Sequence, residues 1–105
     1  MSRMKIIRDV AEMIDEEIED AKKYAEKAIM TKTEKPMLSR TMAAIAEEEL
    51  GHMSRLHAQV TEIIAEYKKE KGDPPEAMRA VYEYLHEKQV RKTAEVKRLL
   101  AMYKE

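Results

Sequence analysis

An apolar stripe at helical spacing runs from Leu38 to Tyr67, and it breaks only once, in the middle. Leu38, Met42, Ile45, Leu56, Val60, Ile63 and Tyr67 recur every three or four residues, which places them on one face of a long helix. The break is Glu49-Leu50-Gly51-His52. With Ile45 at zero, Glu49 falls at ~40° and His52 at ~340° on the helical wheel. A carboxylate and an imidazole therefore share the arc of Leu38, Ile45, Leu56 and Ile63, where a core is expected. Buried charge is costly unless it is paired or bound to metal.

Two further helices flank this one. The spacing predicts a first helix from Arg3 to Met30, with Ile7, Val10, Ile14, Ile18, Ala21, Ala25 and Ala28 on its apolar side. Lys35-Pro36 disfavours helix at Lys35 and suits Pro36 as a first-turn residue of the second helix, Pro36 to Lys71. A connection as short as 31–36 makes the two helices antiparallel neighbours. Gly72 then ends the second helix. Asp73 is expected to cap a third helix with Pro74 at its first position and Glu76 closing a capping box. That helix runs to Lys104 on a narrower stripe of Met78, Tyr82, Leu85, Gln89, Thr93, Val96, Leu100 and Tyr103. The fold class is all-α: a long antiparallel hairpin plus a third helix, in a single domain spanning residues 1–105.

Composition excludes several kinds of function. Basic and acidic residues interleave to a net charge of −1, so no basic stripe marks a nucleic-acid surface. Without cysteine there are no disulfides, thiolate ligands or cysteine nucleophiles. No run is apolar enough for a membrane span or a signal peptide, and neither face is basic enough for membrane-surface binding. The expectation is a cytoplasmic protein.

The candidate site joins Glu49 and His52 to one acid of the first helix. Among Asp15, Glu16, Glu17, Glu19 and Asp20, only Glu17 sits at the edge of the apolar stripe, three residues after Ile14 and four before Ala21. Taken alone, Glu17 reads as a flank carboxylate bonded to Lys or Arg. Measured from Thr33, the middle of the turn, Glu17 lies 16 residues before it and Glu49 lies 16 after. An antiparallel hairpin sets them at one height. A Glu, Glu, His set suits iron or manganese, and zinc with an open position is compatible. Glu48, at the stripe's edge and i,i+4 to His52, is a further candidate ligand; Glu47 faces solvent. Gly51 is a candidate for close helix approach. His57 lies off the stripe and is expected at the surface. A second Glu-x-x-His, Glu83 to His86, is off its own stripe and reads as chance.

A lone Glu on one helix followed by Glu-x-x-His on the next resembles half the ligand set of the ferritin-like di-iron carboxylate proteins. Glu16-Glu17-Ile18-Glu19 with Tyr24, then Ala44 to His52, looks like the first half of a rubrerythrin or ferritin, and most like the encapsulated ferritins. The likeness covers roughly residues 5 to 70. It implies that two hairpins pair about a twofold axis into a four-helix bundle, as a homodimer or higher oligomer. Glu17, Glu49 and His52 of each copy would hold a di-iron centre that oxidises Fe(II) with O₂. It also implies an encapsulating protein shell as a partner, and so residence in a nanocompartment. Glu16, Glu19 and Asp20 then resemble the family's iron-attracting acids. Tyr24 would assist the reaction by hydrogen bonding to a ligand carboxylate.

The same residues admit a metal-free reading. In a helical scaffold or interaction protein, Glu49 and His52 would pair with Lys or Arg across a bundle seam and set its register. The nine Met would then be adaptable packing at a partner surface.

Overall fold

A computed structural model describes residues 2–105. They form α1 (Arg3–Thr31), α2 (Pro36–Lys71) and α3 (Glu76–Lys104), with no strand among the described residues. The molecule measures 56 × 20 × 16 Å. Its long dimension is that of α2, since a helix rises ~1.5 Å per residue. No helix of the described residues is long and apolar enough to cross a membrane.

The first helix begins where Ser2, in extended backbone, accepts a hydrogen bond from the Lys5 N–H at 3.1 Å. It buries Ile7, Ala11, Ile14, Ile18, Ala21, Ala25 and Ala28; against the expected stripe, Ala11 is added and Val10 is only half-buried at its edge. Toward the turn this face is all alanine, and it meets small residues on α2: Ser39, Ala43 and Ala46, all buried. Small side chains let two helix backbones approach closely, and the Ser39 hydroxyl donates to the Ala28 carbonyl across the contact. In the turn the Lys35 N–H returns to the Thr31 carbonyl at 2.8 Å. Lys35 is pushed out of helical geometry (φ −134°, ψ 70°) by the proline that starts α2.

The most buried side of α2 is rotated from the one centred on Ile45: Val60 of the expected stripe is buried, while Met42, Leu56 and Ile63 pack half-buried against the core. The buried residues are Ser39, Ala43, Ala46 and Val60, whose arc centres ~100° round the wheel from Ile45. Leu38, expected in the core, is 43% exposed. The large aliphatic side chains dominate the sequence pattern. The Ser/Ala arc nevertheless holds most of the α1 contact, where Ser39, Ala43 and Ala46 face the alanines of α1.

The third helix also departs from expectation at its start. It begins at Glu76, two residues after Pro74, and neither Asp73 nor any other side chain caps it. Pro75 forces Pro74 away from helical backbone, and Pro75 itself is extended (φ −53°, ψ 148°). A capping box anchored on Asp73 is therefore out of register. From there α3 runs back mainly along α1 and touches α2 at few points. Val96 and Leu100 join the core. The buried Gln89 amide donates to the Ala11 carbonyl at 3.3 Å and to Asp15 Oδ1 at 3.4 Å. Lys92–Glu19 at 3.0 Å and Lys22–Glu95 at 3.1 Å tie the outer edges.

Candidate metal centre

With α3 covering one side of the α1–α2 hairpin, the opposite side stays open. Met13 of α1, at 49%, and Leu38 of α2, at 43%, are exposed on it. Glu17, Glu49 and His52 belong to this open side. Glu17 lies ~60° from Ile14 on the wheel, turned away from the Ala11–Asp15 edge that α3 covers.

The three side chains converge. One ligand atom of each lies within 4.8 Å of the other two. His52 Nδ1 is 3.4 Å from Glu17 Oε2. Glu17 Oε2 is shut off from solvent and has no hydrogen-bond partner. Buried polar atoms are nearly always paired; with both carboxyls ionised this oxygen has no donor, and a proton on Glu49 or a bound cation would relieve it. His52 is not in the core, where the stripe placed it: its side chain is 52% exposed. The cause is the rotation of α2, which leaves the Ile45 arc at the edge of the core, with Leu56 and Ile63 half-buried and His52 on its outer side.

Electrostatics at the trio are those of a site short of positive charge. The Glu49 carboxyl is pushed up to about 7. A hydrogen bond with the Glu17 carboxyl is the largest cause, then burial, then the like charge of Glu17; His52 pulls the other way. Among the described residues no ion pair joins a Lys or Arg to any of the three. Glu19, by contrast, is held below the usual carboxylate range by its bond to Lys92. Asp15, Glu19 and Glu47 each pair with a lysine of α3, whereas within the trio the one contact of opposite charge is His52 with Glu17.

The donor set fits a hard or borderline divalent ion: two carboxylates and one imidazole. Bonds of ~2.1 Å hold ligand atoms closer together than they stand here, so side-chain rotations of about an ångström are required. The exposed His52 is free to supply much of that movement. Glu48 is exposed and is not one of the converging residues. Tyr24 is half-buried against the core, and no hydrogen bond joins it to the trio among the described residues. Gly51 has nothing within 4 Å of the position a Cβ would take, so no helix approaches closely there.

A second cluster was not foreseen. His57, expected at the surface, is half-buried. Its Nε2 lies 3.0 Å from Nδ1 of His86, the residue set aside as a chance Glu-x-x-His. Tyr82 stacks on His86 with centroids 5.7 Å apart and planes 20° apart. Burial first, and the neighbouring His86 second, hold the His57 imidazole below its ordinary range. Spacing carries no sign of such a pair: one ring comes from α2 and the other from α3, and only the fold-back of α3 joins them.

The chain matches no known protein family, no curated protein and no solved structure.

Proposed function

We propose that this chain is a ferritin-like iron-binding protein whose hairpins pair in twos, each copy lending Glu17, Glu49 and His52 to a shared di-iron centre that oxidises Fe(II) with O₂. The observation that carries the reading is the meeting of these three side chains on the uncovered side of the hairpin, with the Glu17 oxygen left unpaired. A donor set lying at an open helical face is half of a site. A second hairpin laid on that face would bring a second Glu, Glu, His set and cover Leu38 and Met13.

The chain's residues have distinct roles in this reading. Glu17, Glu49 and His52 would hold the iron, two through carboxylate and one through imidazole. Bound iron supplies the one-electron chemistry and the O₂ reactivity that side chains lack. Glu49, holding a proton near neutral pH, releases it as cations arrive, so loading and deprotonation are one event. The apolar residues around the trio exclude water once the face is covered. Tyr24, on the same helix as Glu17, is suited to orient a ligand carboxylate after closure.

Anaerobic Fe(II) titration with metal analysis tests the proposal, alongside sedimentation and Fe(III) absorbance on admitting air. Expected are two iron ions per pair of chains, oxidation on exposure to air, and loss of both in Glu49→Ala. Unchanged iron stoichiometry in Glu49→Ala overturns it. A chain that stays monomeric and binds no iron leaves the scaffold reading in its place.

A further inference from the structure

The His57–His86 pair is separate from the trio and lies in the contact between α2 and α3. We infer that it is a second metal site, one that takes an imidazole-preferring divalent transition ion of the Cu(II) or Ni(II) kind and staples α3 to α2.

The geometry is that of two ligands on neighbouring positions of one ion. Nitrogens 3.0 Å apart, each at a bond length of ~2.0–2.1 Å, subtend roughly a right angle at the metal. That is the angle between adjacent ligands in square-planar or octahedral geometry, which Cu(II) and Ni(II) adopt. A tetrahedral ion such as Zn(II) needs the nitrogens a few tenths of an ångström further apart. The rings do not meet head-on: their planes differ by 32° and their centroids are 4.9 Å apart, closer than a collinear alignment of the two nitrogens would leave them. The rings are therefore tilted off the line that joins the two nitrogens, and a modest rotation of either ring aims both lone pairs at one ion.

Two further observations make this a held pair. The Tyr82 ring lies nearly parallel beside His86 and packs against it. The imidazoles line a groove of ≈ 380 Å³ with Met53, Ser54, Gln89 and Thr93, which has room for the water molecules that complete the coordination. In the metal-free chain one ring donates an N–H to the other. Binding needs that proton to move to the far nitrogen of its own ring, a tautomer shift that releases no proton from a neutral pair.

The consequence falls on α3. It touches α2 at few points, with Lys104–Glu47 at 3.1 Å as an ion pair at its far end. A metal bridging His57 and His86 adds a strong link near the middle. An ion bound only by the folded chain raises its stability by mass action.

The chain has three His, so the test uses His52→Ala, which leaves only the pair. One equivalent of Cu(II) is added, and electron paramagnetic resonance counts the imidazole nitrogens on the bound ion. Two are expected, with Tm raised by several degrees in excess Ni(II). His86→Gln or His57→Gln in the same background should leave at most one nitrogen, weaken binding at least tenfold and abolish the Tm shift. Circular dichroism shows which of the two variants keeps its helices, and that one is read. Copper carrying one imidazole or none in His52→Ala, or affinity unmoved by the Gln variants, overturns the inference. With His52 absent, this result is independent of iron binding at the trio.

Discussion

Glu17 Oε2 faces His52 Nδ1 across 3.4 Å while shut off from solvent and without a hydrogen bond. The two residues come from adjacent antiparallel helices, so the relationship is set by the hairpin. An unpaired buried carboxylate oxygen costs the fold ~1–3 kcal/mol or more. The α1–α2 contact is alanine-rich and tightly closed, and it holds the acid in place at that cost. A cation between Glu17, Glu49 and the exposed His52 ring would remove the penalty.

Glu49 makes this cost depend on pH. Its carboxyl is raised to about 7 in the folded chain, above its range in an unfolded one. The folded chain therefore keeps this proton while the unfolded chain has lost it. The associated stability is fully present below the ordinary carboxylate range and is lost as pH rises through 7. Glu49→Gln has no such titration. Metal-free Glu49→Gln should gain stability over the parent as pH rises from 5 to 8 in urea denaturation, and the difference should vanish near pH 4, all about these values. Metal binding to the parent should weaken about tenfold per pH unit below neutrality, as one proton competes for one ligand.

Glu17→Gln separates the causes of that shift. It removes the neighbouring charge and leaves burial in place. Glu49 should then titrate well below the parent value but above an exposed carboxyl, as followed by carboxyl carbon chemical shifts. Iron affinity should fall at least tenfold, since a charged ligand is gone. A Glu49 titration unmoved by this change would show that the two carboxyls do not interact in solution.

The sequence was readable where one face of a helix does one job. Ile7, Ile14, Ile18 and the alanines of α1 meet both other helices on a single arc, and the wheel finds it. Glu17 and Glu49 meet because both count the same distance from the turn. Helix α2 misled the wheel because it carries two apolar arcs: Ser39, Ala43 and Ala46 against α1, and Leu38 and Ile45 toward the open edge. Hydrophobicity favours the larger side chains, whereas close helix approach selects the smaller. His57 was misplaced for the same reason. His86 and Pro74 depended on tertiary placement and on the second proline, which spacing does not encode.

The two arcs of α2 should respond differently to substitution. Ile14 is 1% exposed at the centre of the α1 face, so Ile14→Ala should cost ~2–5 kcal/mol in denaturant unfolding. Leu38 is 43% exposed in the single chain and lies in the first turn of α2. An acid there is favourable to the helix dipole, so Leu38→Asp should change monomer stability by ~0.5 kcal/mol or less. If a second hairpin covers this face, the same substitution should weaken self-association at least tenfold by sedimentation equilibrium. Equal association of parent and variant would place the partner elsewhere.

The chain's two glycines predict opposite signs for one change. Gly51 is helical and exposed, and a Cβ there meets nothing within 4 Å. Gly51→Ala should stabilise the chain by ~1 kcal/mol, the helix propensity difference, since no packing opposes it. Gly72 also has open space around it, but its backbone sits at φ 82° and ψ −159°, a region essentially reserved for glycine. Its N–H still closes the last turn of α2 on the Lys68 carbonyl at 3.0 Å, so the chain must reverse there while keeping that bond. Gly72→Ala should therefore cost ~1–3 kcal/mol through backbone strain alone. Thermal unfolding of the two variants beside the parent checks both signs. A stabilised Gly72→Ala would mean that the turn between α2 and α3 adopts another conformation in solution.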